Sequence, residues 1–338
     1  MGKLGKHGII GTGPSMGGGG VIIPSNGFKV NITGEGGLSS TLSLVRSAAV
    51  NVSGEGGLVP ELHNFKSLAS NVSGEGGLVG TVTGGIDPDA QAVIDQMTSN
   101  GSTPSEARQT LINQLVLDLK GIGNTGVANV WGDLDVLQIY AAEDSTQALT
   151  EWKVADGTLD AINVNGSTFT ADSGFTGTGT SYINTSFNPT ASGSNYTLNA
   201  CSFGIYLNAS AGYYYVLGAN LSATNGSAIR NSVANTDQTN NSTSYFNDSF
   251  STLVGLKSSV RTSSTSVTLY TGDTTKNGAI TKSAGIIPNL DFYALGRNLN
   301  GVASNLNTSS VGIFYAGGDI SANITQLNDS FNAYLAAL

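Results

Sequence analysis

The chain has 338 residues, 11% of them charged and 39% hydrophobic, with a formal net charge of -9 at pH 7. That length suits two or three domains, and the apolar fraction is enough for a real core. The densest basic stretch is Lys3, Lys6 and His7, which excludes the basic face that a nucleic-acid partner requires to displace counterions.

Residues 1–27 form a glycine-rich arm. Its opening, MGKLGKHGIIGTGPSMGGGGVII, holds no unbroken apolar run of the kind a secretory signal or a membrane span needs. Two readings stay open, an attachment arm that orders on a partner surface and a disordered tail; no membrane insertion is expected.

Residues 28–85 repeat. NITGEGGL stands at 31–38, NVSGEGGL at 51–58 and again at 71–78, a constant step of 20. Each copy begins with a short β-favouring piece, and the glycines after it suit a tight turn with positive φ. Leu38, Leu42, Val45 and Ala49 then recur at steps of 4, 3 and 4, as do Leu58, Leu62, Phe65 and Ala69. That spacing predicts a short helix, so each unit reads as strand, turn, helix. One such unit cannot enclose its own apolar face and must stack on neighbours. Two and a half units make a short solenoid, so the expectation is that other copies complete it, as a homotrimer. The attachment and oligomerisation residues are then Gly34, Glu35, Gly36, Gly37 and Leu38, with Gly54, Glu55, Gly56, Gly57 and Leu58, and Gly74, Glu75, Gly76, Gly77 and Leu78. One glutamate per unit is thin for Ca2+, which wants 6–8 oxygens. No cofactor is expected, and calcium stays open without a clear ligand cluster.

Residues 86–126 read as a helical connector. Asp87-Pro88 gives an N-cap followed by proline at the first helical position, and Ala90, Val93, Ile94 and Met97 make an apolar face. Thr103-Pro104-Ser105-Glu106 reads as a capping box for a second helix. Leu111, Ile112, Leu115, Val116 and Leu119 follow at helical spacing, and Gly121 ends it.

From 127 onward the texture is β. SYINTSF, YTLNACSFGIYLN, GYYYVLGAN, SVTLYTGD, FYALGRN and SSVGIFYAGG are short strands bounded by Gly, Asn, Asp and Ser. Ile320, Ile324, Leu327, Phe331 and Leu335 then mark a closing amphipathic helix, with Asp319 or Ser321 as its cap. The fold class is mainly β: a repeat region, a helical hairpin, and an antiparallel sandwich over 127–338 closed by a helix.

The stretch from Val130 to Pro189 carries a resemblance. Its Trp131, Leu134, Asp135 and Leu137 start, the AAED that follows and GTSYINTSFNP resemble the opening of concanavalin-like, laminin-G-like jelly-roll domains of bacteriophage structural proteins. The later order also fits: Thr268–Asp273, then FYALGRN, then GIFYAGGDIS and the helix. The GEGG repeats are similar to those of phage particle proteins. The resemblance implies a virion fibre: a head fibre, a capsid decoration or a tail fibre. Such a protein is made in the host cytoplasm and exposed outside on the particle, with other virion proteins as partners of the N-terminal region and a host surface glycan as the alternative partner of the sandwich.

Catalytic chemistry finds little purchase. Cys201 is the single cysteine, in a context that reads as a buried, inert strand thiol, and the two histidines, His7 and His63, lie in the first third. Glycosidases on concanavalin-like folds resemble one another in alternating carboxylates along one strand. The nearest candidates here are Asp133 with Asp135 and Glu143 with Asp144, which read as turn or cap residues. A glycan hydrolase is therefore the less favoured alternative to a non-enzyme. For glycan contact, Tyr213, Tyr214 and Tyr215 are consecutive, so a strand through them turns at least one outward; packing of the sandwich is the competing reading.

Overall fold

The computed structural model describes residues 86–121, 129–211, 215–222, 225–230, 238–241 and 254–338, together with the backbone of the strands named next in the first 85 residues. The chain divides into two compact units, Met1–Ile86 and Asp87–Leu338.

In the first unit the strands are β1 (Ile10–Gly11), β2 (Val21–Ile22), β3 (Phe28–Thr33), β4 (Leu38–Ser43), β5 (Ala48–Ser53), β6 (Leu58–His63), β7 (Leu68–Ser73) and β8 (Thr81–Thr83). They form two parallel sheets, β1-β3-β5-β7 and β2-β4-β6-β8. Each repeat gives one strand to each sheet, so the strand in one sheet serves as the crossover for the other. The register follows the sequence period: Asn31 pairs with Asn51 and Asn51 with Asn71, while Leu38 pairs with Leu58 and Leu42 with Leu62.

The expected helix in each repeat is thus a strand. Leu38 and Leu42 lie in β4, Leu58 and Leu62 in β6, Ala49 in β5 and Ala69 in β7; Val45 and Phe65 fall outside the described residues. The physical reason is that a step of 4 is even. It keeps two leucines on one side of a helix and equally on one side of a strand. The Ser- and Thr-rich LSSTLS fits a pleated surface, and stacking on an identical neighbour decides the matter.

The second unit runs α1 (Pro88–Ser99), α2 (Glu106–Leu119), α3 (Val130–Asp133), β9 (Leu134–Ile139), α4 (Ser145–Leu149), β10 (Ile162–Val164), β11 (Thr168–Thr170), β12 (Gly174–Thr176), β13 (Tyr182–Asn184), β14 (Cys201–Ala209) and β15 (Tyr215–Asn220). It continues with β16 (Gly226–Arg230), β17 (Gln238–Asn241), β18 (Gly255–Arg261), β19 (Ser266–Thr271), β20 (Thr274–Thr281), β21 (Tyr293–Ala294), β22 (Arg297–Leu299), β23 (Val302–Ser304), β24 (Ser310–Gly317) and α5 (Ile324–Ala336). One sheet has the order β11-β12-β24-β14-β18-β19-β20, with β9 also on β24. The other has the order β10-β13-β21-β15-β16-β17, with β22 on β15 and β23 on β22.

The core lies between the sheets. Phe203, Ile205 and Leu207 of β14, Phe314 and Ala316 of β24, and Val267 and Leu269 of β19 meet Ile183, Leu217, Ala219, Ile229 and Ala294 of the second sheet. The other face of the first sheet carries helices. Tyr315 packs on Phe331 of α5 at 6.1 Å, and Trp152 meets Tyr334 edge-on at 6.0 Å. Gly204 makes room for this layer, since a Cβ there would sit 2.3 Å from the Tyr315 ring and 2.7 Å from the Lys257 carbonyl oxygen. The helix α2 joins the same layer: Gln326 Nε2 donates to Asp118 O at 2.7 Å, and Arg108 Nη1 donates to Tyr334 Oη at 3.0 Å.

The local signals for α1 hold. The Asp87 side chain accepts from Asp89 N, and Ala90, Val93, Ile94 and Met97 are all buried. In α2 the N-cap is Ser105, whose hydroxyl accepts from Arg108 N, so the helix starts later than a Thr103 capping box would place it. The reason is tertiary: Ser105 is also tied through its backbone N and its hydroxyl to the Glu143 carboxylate. At the closing helix the expected cap is not made: Asp319 accepts from Ser321 N in the turn before it, while the N-cap of α5 is Asn323, with no side-chain cap bond.

Candidate ligand-binding face

Of the carboxylates that sequence brings forward for catalysis, Asp135, Glu143 and Asp144 accept hydrogen bonds from the chain itself. Asp133 ends α3 while Asp135 lies in β9, so the two do not share a strand. Asp135 is 4% exposed and accepts from Ser194 Oγ, Asn195 N and Tyr196 N. Burial and then Asp319 raise the Asp133 carboxyl. Asp144 caps α4 through Thr146 N and Gln147 N. Against the cost of burial, hydrogen bonds from Ser105 and Gln147 hold Glu143 below the usual carboxylate range. A further acid, Glu151, is fully buried and accepts from the backbone N of Leu137, Lys153, Val154 and Ala155. Burial pushes its carboxyl up to about 7 against those four donors. Cys201 is 0% exposed, and burial pushes its thiol up to about 12, as suits an inert core group. Among the described residues, no group of three or more His, Cys, Asp or Glu side chains is gathered for a metal ion, and no helix is long and apolar enough to cross a membrane.

Leu38 opens β4 and Leu58 opens β6, paired in register. The turns Gly34–Gly37, Gly54–Gly57 and Gly74–Gly77, with Leu78, lie outside the described residues, as do Tyr213 and Tyr214. Tyr215 opens β15 and is 6% exposed.

Tyr215 belongs to the outer face of the second sheet, where the remaining chemistry gathers. Strand alternation sets that face. Ile183, Ala294 and Leu217 are in register and point to the core, so Asn184, Tyr293 and Gly218, which are also in register, point away from it. Tyr182 stacks on Tyr293 with ring centroids 4.4 Å apart and planes at 29°. Burial, then Tyr182 and Asp291, push the Tyr293 hydroxyl up to about 12. Asp291 lies at the rim of this pair and accepts from Asn184 Nδ2 at 3.3 Å.

Beside the tyrosine pair, β22 brings in Arg297. Its Cζ lies 4.1 Å from the Tyr215 ring centroid, with the Arg230 Cζ at 5.8 Å from the same ring. Gly218 keeps the floor low: a Cβ there would be 2.8 Å from Ala228 Cβ and 3.0 Å from Arg297 Cβ. Asn307 fixes the strand end by donating from Nδ2 to Tyr215 O at 2.7 Å. Arg297 is 6% exposed, and its Nε and Nη1 are buried without a hydrogen-bond acceptor. This face therefore sets a tyrosine pair beside an enclosed guanidinium, two of whose nitrogens have no acceptor.

Sequence reading singled out Tyr215 but not Tyr182, Tyr293, Arg230 or Arg297. The only local signal for Arg297 is a cation just after the apolar FYAL, in a stretch expected as one strand that folds as β21 and β22. Its neighbours Tyr215, Gly218 and Ala228 come from strands far earlier in the chain.

No family model matches the chain, and no curated protein matches it. Among solved structures, the chain is similar to domain 4 of AbnA, a GH43 extracellular arabinanase from Geobacillus stearothermophilus in complex with arabinotriose, at 12% identity over 58% of this chain and 98% of that one, with a TM-score of 0.37. It is also similar to a Trypanosoma rangeli sialidase in complex with 2,3-difluorosialic acid, at 10% identity over 67% of this chain and 39% of that one, with a TM-score of 0.44. At these scores the likenesses assign neither family nor ligand, and the architecture rests on the sheets themselves: a mainly β protein with a β-sandwich and a C-terminal helix.

Proposed function

We propose that this is a non-enzymatic protein of a bacteriophage particle, a head fibre, decoration or tail fibre, whose repeat unit attaches and trimerises while its sandwich presents the outer sheet face to a host surface glycan. The observation that carries this reading is the in-register stack of the first unit. Among the described residues β7 has only β5 as a strand neighbour and β8 only β6. A strand with one open side is a template for another chain. A second compact unit with its own core then leaves one part free for attachment and the other for display. Other virion proteins are the partners of the first unit, and nucleic acid has no basic face to meet.

Imaging of purified particles labelled with an antibody to the sandwich tests placement: signal at sites of three-fold local symmetry is expected, and particles without signal would remove the virion assignment. Incubation of the full chain with host polysaccharide tests the non-enzymatic part, and shortening of the polymer would overturn it.

A further inference from the structure

Three arginines in the sandwich unit are buried, and they differ in what their donors meet. Arg108, 5% exposed, donates from Nη1 to Ala141 O and Tyr334 Oη and pairs through Nη2 with Asp172. Arg261, 0% exposed, donates from Nε and Nη2 to Thr239 O and from Nη1 to the carbonyls of Ser263, Ser264 and Lys282. Arg297 is as enclosed as Arg108, yet its Nε and Nη1 meet no acceptor. Among the described residues no carboxylate pairs with it.

The Tyr215 ring attracts the Arg297 charge through the ring face, which is at most a weak acceptor for N–H groups. Leaving such donors dry is costly, and an apolar residue of similar length would fill the place without that cost. An acceptor that the chain itself does not supply would remove that cost. Nε and Nη1 lie on two different edges of the planar fork and both atoms are enclosed, so a carboxylate reaches either edge only by displacing the atoms that cover it. Next to the guanidinium stand the Tyr182–Tyr293 stack, suited to a pyranose ring, and the Arg230 cation. The net charge of -9 means that long-range attraction does not draw in a polyanion, so any preference for acid must be local.

We propose that the outer sheet face binds a carboxylate-bearing sugar, a uronic acid, with Arg297 receiving the carboxylate and Tyr182 the ring. This deepens the glycan-binding part of the reading above and rests on it.

The test is calorimetric binding of the full chain to trigalacturonic acid and to its methyl ester, which keeps the sugar and removes the charge. The acid is expected to bind at least about tenfold more tightly, the worth of a charge-assisted hydrogen bond. Arg297→Met is expected to abolish that preference while melting at or above the wild-type temperature. Tyr182→Ala is expected to weaken acid and ester alike. Inorganic sulfate at equal concentration is expected not to compete, which separates a sugar carboxylate from any small anion.

Equal binding of acid and ester, or a preference that survives Arg297→Met, overturns the uronate assignment and leaves glycan binding standing. A lower melting temperature for Arg297→Met with unchanged binding makes the arginine a packing residue and overturns it too. Competition by sulfate reduces the site to a generic anion hole. Binding of neither ligand removes both the uronate assignment and the glycan reading of this face.

Discussion

The two units store their structural information differently. In the first, each 20-residue repeat specifies its neighbour, because Asn31, Asn51 and Asn71 meet in register across adjacent strands. In the second, no local period exists, and strands from opposite ends of the chain meet: β24 lies between β14 and β9. Repeat stability is close to a sum of rungs and rung-to-rung interfaces, while a sandwich folds as one cooperative body. The first unit should therefore tolerate changes in number, and the second should not tolerate changes in identity at its junctions.

The largest expected effect is at Arg261, which binds carbonyls of the second sheet and of neighbouring loops from its place on β18. Arg261→Met should destabilise the sandwich by about 3–5 kcal/mol, because the buried Thr239 O loses both charged donors and three part-buried carbonyls lose theirs at once. Urea unfolding of the full chain measures it, and a loss under about 1 kcal/mol would mean that the sheets do not depend on this link.

Next comes Glu151. Its folded-state value of about 7 lies above the ~4.3 of an unfolded glutamate. Between those values the folded chain holds a proton that the unfolded chain has released. The stability this group contributes is therefore full below ~4.3 and lost as pH rises through about 7, at up to about 1.4 kcal/mol per pH unit. Unfolding free energy followed from pH 4.5 to 7 should fall more steeply in the parent than in Glu151→Gln, and identical slopes would contradict it.

A comparable but smaller loss is expected for Gly204→Val, about 1–3 kcal/mol, as the added carbons meet the Tyr315 ring and displace α5. Thermal melting reads this, and an unchanged midpoint would show that the helix layer moves freely on the sheet.

The smallest effect separates the units most cleanly. Deleting residues 51–70 removes one whole rung and preserves register, so the sandwich should melt within about 0.5 kcal/mol of the parent. Deleting Gly57 alone shifts every later strand by one residue and should disturb association instead. If the whole-rung deletion proves the more damaging of the two, the stack is not modular.

What was legible in the sequence follows the same division. The helices α1 and α2 were readable because Asp87, Pro88 and Gly121 act on their own backbone neighbours. The repeat was readable as a period, but its second half was misread, since the even step from Leu38 to Leu42 fits strand and helix alike. That α2 lies in one layer with α5 was not readable, because its buried face names no partner. The Arg297 site was hidden for a related reason. A lone arginine in FYALGRN becomes unusual only once folding sets Tyr215 under it and denies it an acceptor.

The claim on which the two-part account depends is that the first unit joins copies of this chain. Light scattering on the purified full chain tests it directly. The account predicts a species of three times 34.4 kDa that survives Arg297→Met, and a single-chain mass at all concentrations would contradict it.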